Sequence, residues 1–422
     1  MSSASCELLS PSPPLEGLDC ESLADGIGIK HVCGVVDSIK IVGAHIGAIE
    51  TSKAFIHRHL RTTLSLLEEV AALATVQPRA AIAILKFCCQ MKLMYRFSCH
   101  PPEVTIEAAK LYDASVFRLL ANLIGSELRS DVVYCSFGLC LIEYTPMIPL
   151  LWRRFLQETT ETASSIAIDS RESATELRVA HDKTVLKRFP LLKARLVAQG
   201  NAAVGSASWL SPFTAPGLQA HHVDVMTMLQ LQCIAEDHAL SPCWCGASDK
   251  SDGLFAEHIL TCSKVRGATL TYRHNVILSA LNHALMRFGL LASVEPRFYE
   301  HPDGSAKRPD LTLFVQPPIA IDLTVSIDPD TAYKAKCEKH SAAVSARGHR
   351  FMPVVMSTYG EFHSSVDSFL RLAFDHLPIR TRHLAILQTK RAMSEAWLMG
   401  TAAVLRGTIL RHLLREEHHL EA

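Results

Sequence analysis

The hydrophobic text of the chain changes period near residue 268, and that change restricts the folds open to it more than any other feature. Upstream, apolar side chains recur at helical spacing. Leu60, Leu64, Leu67, Ala71 and Ala74 fall at i, i+4, i+7, i+11 and i+14, one stripe on a helix. Pro78 suits the first turn of a second helix running to about Tyr95, and Pro101-Pro102 breaks the chain. A third helix is expected over 103–124, stopping at Gly125. Further on, 164–176 reads as a polar loop, 183–198 as a basic helix, 201–217 as a loop and 219–237 as a helix. Downstream of 268, a helix over 269–288 precedes short β-rich runs at 291–298, 311–315 and 319–325. A helix over 331–346 and the run 351–356 follow, giving the order α-β-β-β-α-β, and two helices (362–376 and 383–413) close the chain. The fold class is therefore α+β, a mostly helical first part followed by a small α/β domain.

The 422 residues suggest two or three domains, with 48% hydrophobic and 20% charged residues in an ordinary globular balance. Residues 1–35 are rich in Ser, Pro and Gly at first and are expected to be poorly ordered in part, while 37–47 reads as a short strand and turn. Net charge is zero, so nothing global points to nucleic acid, but local patches exist. Five basic residues and no acid occupy 183–197, five against Glu338 alone occupy 332–350, and four without an acid occupy 377–391. Such patches can neutralise phosphates, and they can equally be solvated helix faces. Thirteen cysteines in a chain this long do not make a disulfide scaffold, and the start carries no signal-peptide pattern. The most apolar run, 138–151, is interrupted by Glu143, Pro146 and Pro149, so no membrane span is expected. The reading is an intracellular, reducing compartment.

Cys243, Cys245, His258 and Cys262 lie within 20 residues in the form C-x-C-x12-H-x3-C. Three thiolates and an imidazole suit a closed tetrahedral zinc site, and His258 and Cys262 share a helix face at i, i+4. The competing reading is a chance cluster of buried thiols. Against it stands the polar stretch SDKSDG between the pairs, a poor setting for core cysteines. With all four positions filled by protein, the zinc would be structural.

A second constellation lies in KRPDLTLFVQPPIAIDLTVSIDPDTAYKAKCEKH. Asp310 starts one expected strand and Asp322 sits in the next, with Pro317-Pro318 turning the chain between them. Two carboxylates brought together are costly without a cation, so the pair favours a hard divalent ion such as magnesium. Lys334, Lys336 and Lys339 follow on a helix, where a lysine can stabilise charge on an attacked phosphate. Glu295 is a further possible ligand, and Arg273-His274-Asn275 on the preceding helix could reach the site or a DNA strand. Surface Asp and Lys are common in small α/β domains, so the spacing alone says little without the α-β-β-β-α-β order around it.

Taken together, 35–376 resembles the C-terminal part of a non-LTR retrotransposon protein that carries a restriction-like endonuclease. IKIVGAHIG resembles the segment closing a polymerase palm, and FCCQMKLMYRFSCHPP with LYDASVF resembles the thumb. The C-C-H-C cluster resembles the zinc knuckle that precedes the nuclease. Arg273-His274-Asn275, Arg308-Pro309-Asp310, Asp322, Lys336-x-x-Lys339 and FMPVVMSTYG resemble the nuclease itself. The resemblance implies a palm remnant and unordered start over 1–50, a helical thumb and linker over 51–240, a zinc knuckle over 241–268, a PD-(D/E)XK-like nuclease over 269–376 and C-terminal helices over 377–422. It implies that Asp310 and Asp322 bind magnesium, that Lys339 is the catalytic lysine with Lys336 the alternative, and that Glu295 assists. It also implies that Arg273, His274, Arg308, Lys334 and Arg347 contact nucleic acid. The implied activity is nicking of nuclear DNA to prime reverse transcription of the element's RNA. The chain departs from the pattern in the short gap between Asp310 and Asp322 and in the C-x-C spacing. The aspartate pair of a polymerase is absent from the chain, so it is not expected to polymerise DNA by itself. A non-catalytic nucleic-acid-binding fragment or a decayed remnant is the alternative.

Overall fold

The computed structural model describes residues 6–9, 32–36, 38–41, 44–124, 128, 130–135, 139, 141–161, 170–190, 192–201, 220–233, 243, 245, 255–262, 269–296, 299 and 308–420. The expected loop over 201–217 and most of the Ser/Pro/Gly-rich start lie outside these residues. The chain is α+β and mostly helical. It divides into two compact units, 1–73 with 84–120 and 141–180, and 74–83 with 121–140 and 181–422.

β1 (Cys6–Leu9), in the first unit, pairs in parallel with β2 (Val32–Val36). β3 (Ser38–Ile41) and β4 (Ala44–Gly47) form the expected strand and turn, an antiparallel hairpin with Ile39 opposite Ile46. α1 (Ile49–Ala74) buries Ile56, Leu60, Thr63, Leu67, Val70 and Ala74. The expected stripe is thus rotated by part of a turn, because Leu64 is half-buried and Ala71 exposed. α2 (Pro78–Ile84) begins on its proline, and a π turn (Leu85–Cys89) carries it into α3 (Gln90–Ser98). α4 (Pro102–Ile124) starts on the second proline of the break, where a missing N–H costs nothing. After α5 (Ser130–Val133), α6 (Tyr144–Glu161) begins on a cap supplied from α4. Asp113 accepts the backbone N–H groups of Tyr144 at 3.0 Å and Thr145 at 2.7 Å, satisfying two otherwise orphaned donors. Tyr144 packs edge-on to Phe97 and Tyr112 at 4.9 and 5.5 Å between ring centroids.

The expected basic helix of 183–198 is two helices, α7 (Ser170–Arg188) and α8 (Lys193–Asn201), because Pro190 cannot continue the first. α7 also replaces the second half of the loop expected over 164–176. Val132, Cys135, Val185, Leu192 and Leu196 close around this corner. α9 (His222–Gln232), α10 (Phe255–Thr261) and α11 (Thr271–Arg287) follow, and the buried Arg195 guanidinium ties α8 to the Leu231 carbonyl at 2.9 Å.

β5 (Ala292–Val294), β6 (Leu311–Leu313) and β7 (Ile319–Ile321) form an antiparallel meander. The path of β7 continues, after a break at Asp322, as β8 (Leu323–Ser326). α12 (Pro329–Ser345) crosses over to β9 (Arg350–Phe351), parallel to β7, and β10 (Val354–Ser357), parallel to β8. Asp328 caps α12 by accepting the Thr331 N–H at 3.1 Å, and Pro329 occupies its first turn. The observed order is the expected α-β-β-β-α-β with the third strand broken into β7 and β8 and the last into β9 and β10. α13 (Ser364–Ala373) and α14 (Ile379–Leu420) complete the second unit.

α14 lies along α11, and the approach is close enough to demand a glycine. A Cβ on Gly400 would stand 2.7 Å from the Arg273 Cα. Gly360, at φ +89°, faces the buried Trp397 ring, where a Cβ would stand at 2.9 Å. No described helix is long and apolar enough to cross a membrane.

Candidate functional site

The pairing register dictates what the strand ends bring together. Val294 faces Leu311 and Leu311 faces Ile321, so one step further Glu295, Asp310 and Asp322 fall in a single row. The backbone keeps that row. The Glu295 N–H donates to the Asp310 carbonyl at 2.8 Å, and the Asp310 N–H donates to the Ile321 carbonyl at 2.9 Å. Directly opposed like charges destabilise a sheet, so three carboxylates in one row require compensation.

Two of them receive it from three different segments. Asp310 Oδ2 accepts from His274 Nε2 of α11 at 3.1 Å and from the Leu323 N–H at 2.6 Å. Asp322, nearly fully buried, meets Lys336 Nζ at 3.0 Å and His340 Nε2 at 2.7 Å, both from α12. Lys336 and His340 are i, i+4, and one helix face delivers both. Burial pushes the Asp310 carboxyl up, and the neighbouring Asp322 adds to this beyond what His274 offsets. Burial would raise Asp322 too, but His340, Asp310 and Lys336 reverse this and hold it well below the ordinary carboxylate range. His274 is opposed by its burial, yet its contact with Asp310 leaves its affinity for a proton raised. Burial and their mutual contact thus push the proton affinities of the two carboxyls apart, Asp310 upward and Asp322 downward. A hard cation fits this donor set, since two neighbouring carboxylates offer it oxygen ligands.

The other expected site residues scatter. Glu295 is exposed and adopts φ +46°, a left-handed conformation rare for a residue with a Cβ. Lys339 is exposed and makes no ion pair with either carboxylate. Arg308, Lys334 and Arg347 are exposed, whereas Arg273 is buried, its Nη2 reaching the Leu260 carbonyl at 3.4 Å. The basic patch of 377–391 is opposed in space, with Arg382 on Asp375 at 3.1 Å and Lys390 on Asp367 at 2.6 Å. His340 belongs to the site and was not among the expected residues. Its signal is the K-x3-H spacing from Lys336.

Some way along the same unit, one ligand atom each of Cys243, Cys245, His258 and Cys262 lies within 4.8 Å of all the others. This Cys3His group could hold a metal such as zinc. α10 carries His258, Cys262 follows directly on it, and Cys245 Sγ lies 3.0 Å from His258 Nε2. Burial and the neighbouring thiols push the Cys243 thiol up to about 12, so a bound cation would displace a proton there.

No protein-family model matches the chain, and no curated protein sequence matches it.

Proposed function

We propose that this chain is the endonuclease portion of a retroelement protein of the non-LTR type, nicking nuclear DNA so that the new 3′ end primes reverse transcription of the element's RNA. The observation that supports this best is the carboxylate row of Glu295, Asp310 and Asp322, met by Lys336 from the crossover helix. Within a PD-(D/E)XK-like reading, Asp310 and Asp322 hold magnesium. That ion supplies Lewis acidity to a phosphate oxygen and lowers the pKa of water beside it. Asp310, whose proton affinity is raised, would have to be ionised to serve as a ligand. His274 fixes the Asp310 carboxylate, and His340 fixes Asp322 from the opposite side. Lys336 stands where an ammonium can neutralise charge on an attacked phosphate, and the resemblance offers the exposed Lys339 for the same role. Zinc on the Cys3His group stiffens the segment ahead of the nuclease.

A second reading has the chain bind nucleic acid without cutting it. Its support is that Lys336 and His340 already neutralise Asp322. Supercoiled-plasmid nicking separates the two. The nuclease reading expects nicking with Mg²⁺ that EDTA stops and that Asp310→Ala with Asp322→Ala abolishes. No nicking by folded, zinc-loaded protein that still binds DNA would favour the second reading.

A further inference from the structure

A cavity of 590 Å³ adjoins the carboxylate row, sharing His274 with it. The end of α10, the start of α11 and β8 form its walls, including Leu260, Thr261, Thr271, Arg273, Thr324 and Ser326. No acidic side chain is among its described lining residues.

Arg273 is the anomaly in this wall. It is only 4% exposed. Its Nη2 makes one long hydrogen bond, and its Nη1 is buried with no hydrogen-bond partner. Among the described residues no carboxylate pairs with it, and burial pushes its pKa down to about 10. A buried guanidinium without a counter-charge is expensive, and chains retain one where a ligand completes it. The neighbouring hydroxyls narrow the ligand. Ser326 Oγ accepts the Asp328 N–H at 3.2 Å, which leaves its own proton to donate, and Thr271 and Thr324 add further hydroxyls. A guanidinium that shares a cavity wall with hydroxyl donors suits a tetrahedral anion with several oxygens better than a two-oxygen carboxylate.

We propose that this cavity receives a phosphate group, anchored on the Arg273 guanidinium and ringed by the hydroxyls of Thr271, Thr324 and Ser326. The group is either a phosphodiester of a nucleic-acid strand or free phosphate. The proposal stands apart from the nuclease reading, because a phosphate can be held here whether or not Asp310 and Asp322 support cleavage.

The test uses the full zinc-loaded chain without added magnesium. Inorganic phosphate is titrated at constant ionic strength against chloride, with the thermal unfolding midpoint as readout, since a ligand of the folded state raises it. Fluorescence anisotropy of a short labelled duplex is the second arm. Thr271→Glu places a carboxylate at the cavity wall on an exposed position that tolerates it. Ser279→Glu, exposed on the same helix outside the cavity, controls for charge. Phosphate is expected to protect the wild type and Ser279→Glu, with apparent affinity at least ten-fold weaker in Thr271→Glu. A parallel loss of duplex affinity in Thr271→Glu assigns the site to a strand phosphate, and unchanged duplex affinity assigns it to free phosphate. Equal protection of all three proteins, or none beyond chloride, would overturn the proposal. Plasmid nicking by Asp310→Ala bears only on the nuclease, so the two failures are distinguishable.

Discussion

The Cys3His group could hold a metal and the carboxylate row is proposed to hold one, yet the two are built in opposite ways. Cys243, Cys245, His258 and Cys262 turn their ligand atoms toward one another. The carboxylates draw on outside charge, with His274 on Asp310 and both Lys336 and His340 on Asp322. The first arrangement is backed by the buried Ala256, Ile259 and Leu260 of α10 but by no described counter-charge. The second carries its own counter-ions in His274, Lys336 and His340. A structural site is worth most when nothing else does its work, whereas a site meant to exchange ions or substrate benefits from a stable empty form.

The sharpest way to break this comparison is to strip both sites. Cys262→Ser or a strong chelator should produce the largest loss, because apparent zinc binding in small finger peptides is worth roughly 10–16 kcal/mol and is folding free energy there. Amide hydrogen exchange should show protection lost over 255–262 but kept in β6 and β7. Equal loss in both places would mean the two sites are not energetically separate. Gly400→Ala tests the support beneath them, since its Cβ would collide with the Arg273 backbone. About 1–3 kcal/mol of overpacking cost is expected in denaturant unfolding, with the region of the carboxylate row weakened at least as much as the Cys3His segment.

Within the row, two conservative changes should diverge. Asp322→Asn removes the ionised partner of Lys336 and His340 and should cost on the order of 1–3 kcal/mol. Asp310→Asn removes the carboxyl that burial and Asp322 already push toward its protonated form. Its stability should change by less, while magnesium affinity, followed by calorimetry, should fall in both. Similar destabilisation by the two would erase the asymmetry between them.

The smallest expected effect is a pH dependence. The raised affinity of His274 for a proton means that its contribution is fully present below its ordinary value of 6.5 and is lost as pH rises through the higher folded value. Stability measured across neutral pH should therefore decline slightly more in the wild type than in His274→Asn. The lowered Asp322 works the other way, contributing above the unfolded carboxylate range and losing its share only in strong acid.

Period and punctuation made the α-β-β-β-α-β order legible, because Pro317-Pro318 and the caps around Pro329 mark the turns whatever the packing. Spacing also made Asp310 and Asp322 neighbours, since a short hairpin leaves few registers. The rotation of a helix about its axis is another matter. It depends on which face the sheet accepts, and that decides between Lys336 and Lys339 and brings in His340. The same phase uncertainty shifted the stripe of α1 from Leu64 and Ala71 to Thr63 and Val70. The patch of 377–391 looked unopposed only because Asp367 and Asp375 lie just before it in sequence.

The glycine contact between α11 and α14 also bears on the order in which a ribosome could build this unit. His274, the partner of Asp310, sits on a helix whose packing surface is supplied by residues far downstream. The strands and crossover helix are synthesised between the two. While Gly400 and its neighbours are still unmade, α11 has an uncovered face, and the carboxylate row lacks a firmly seated histidine. The contacts that seat α11, and with it His274, are therefore among the last that synthesis completes.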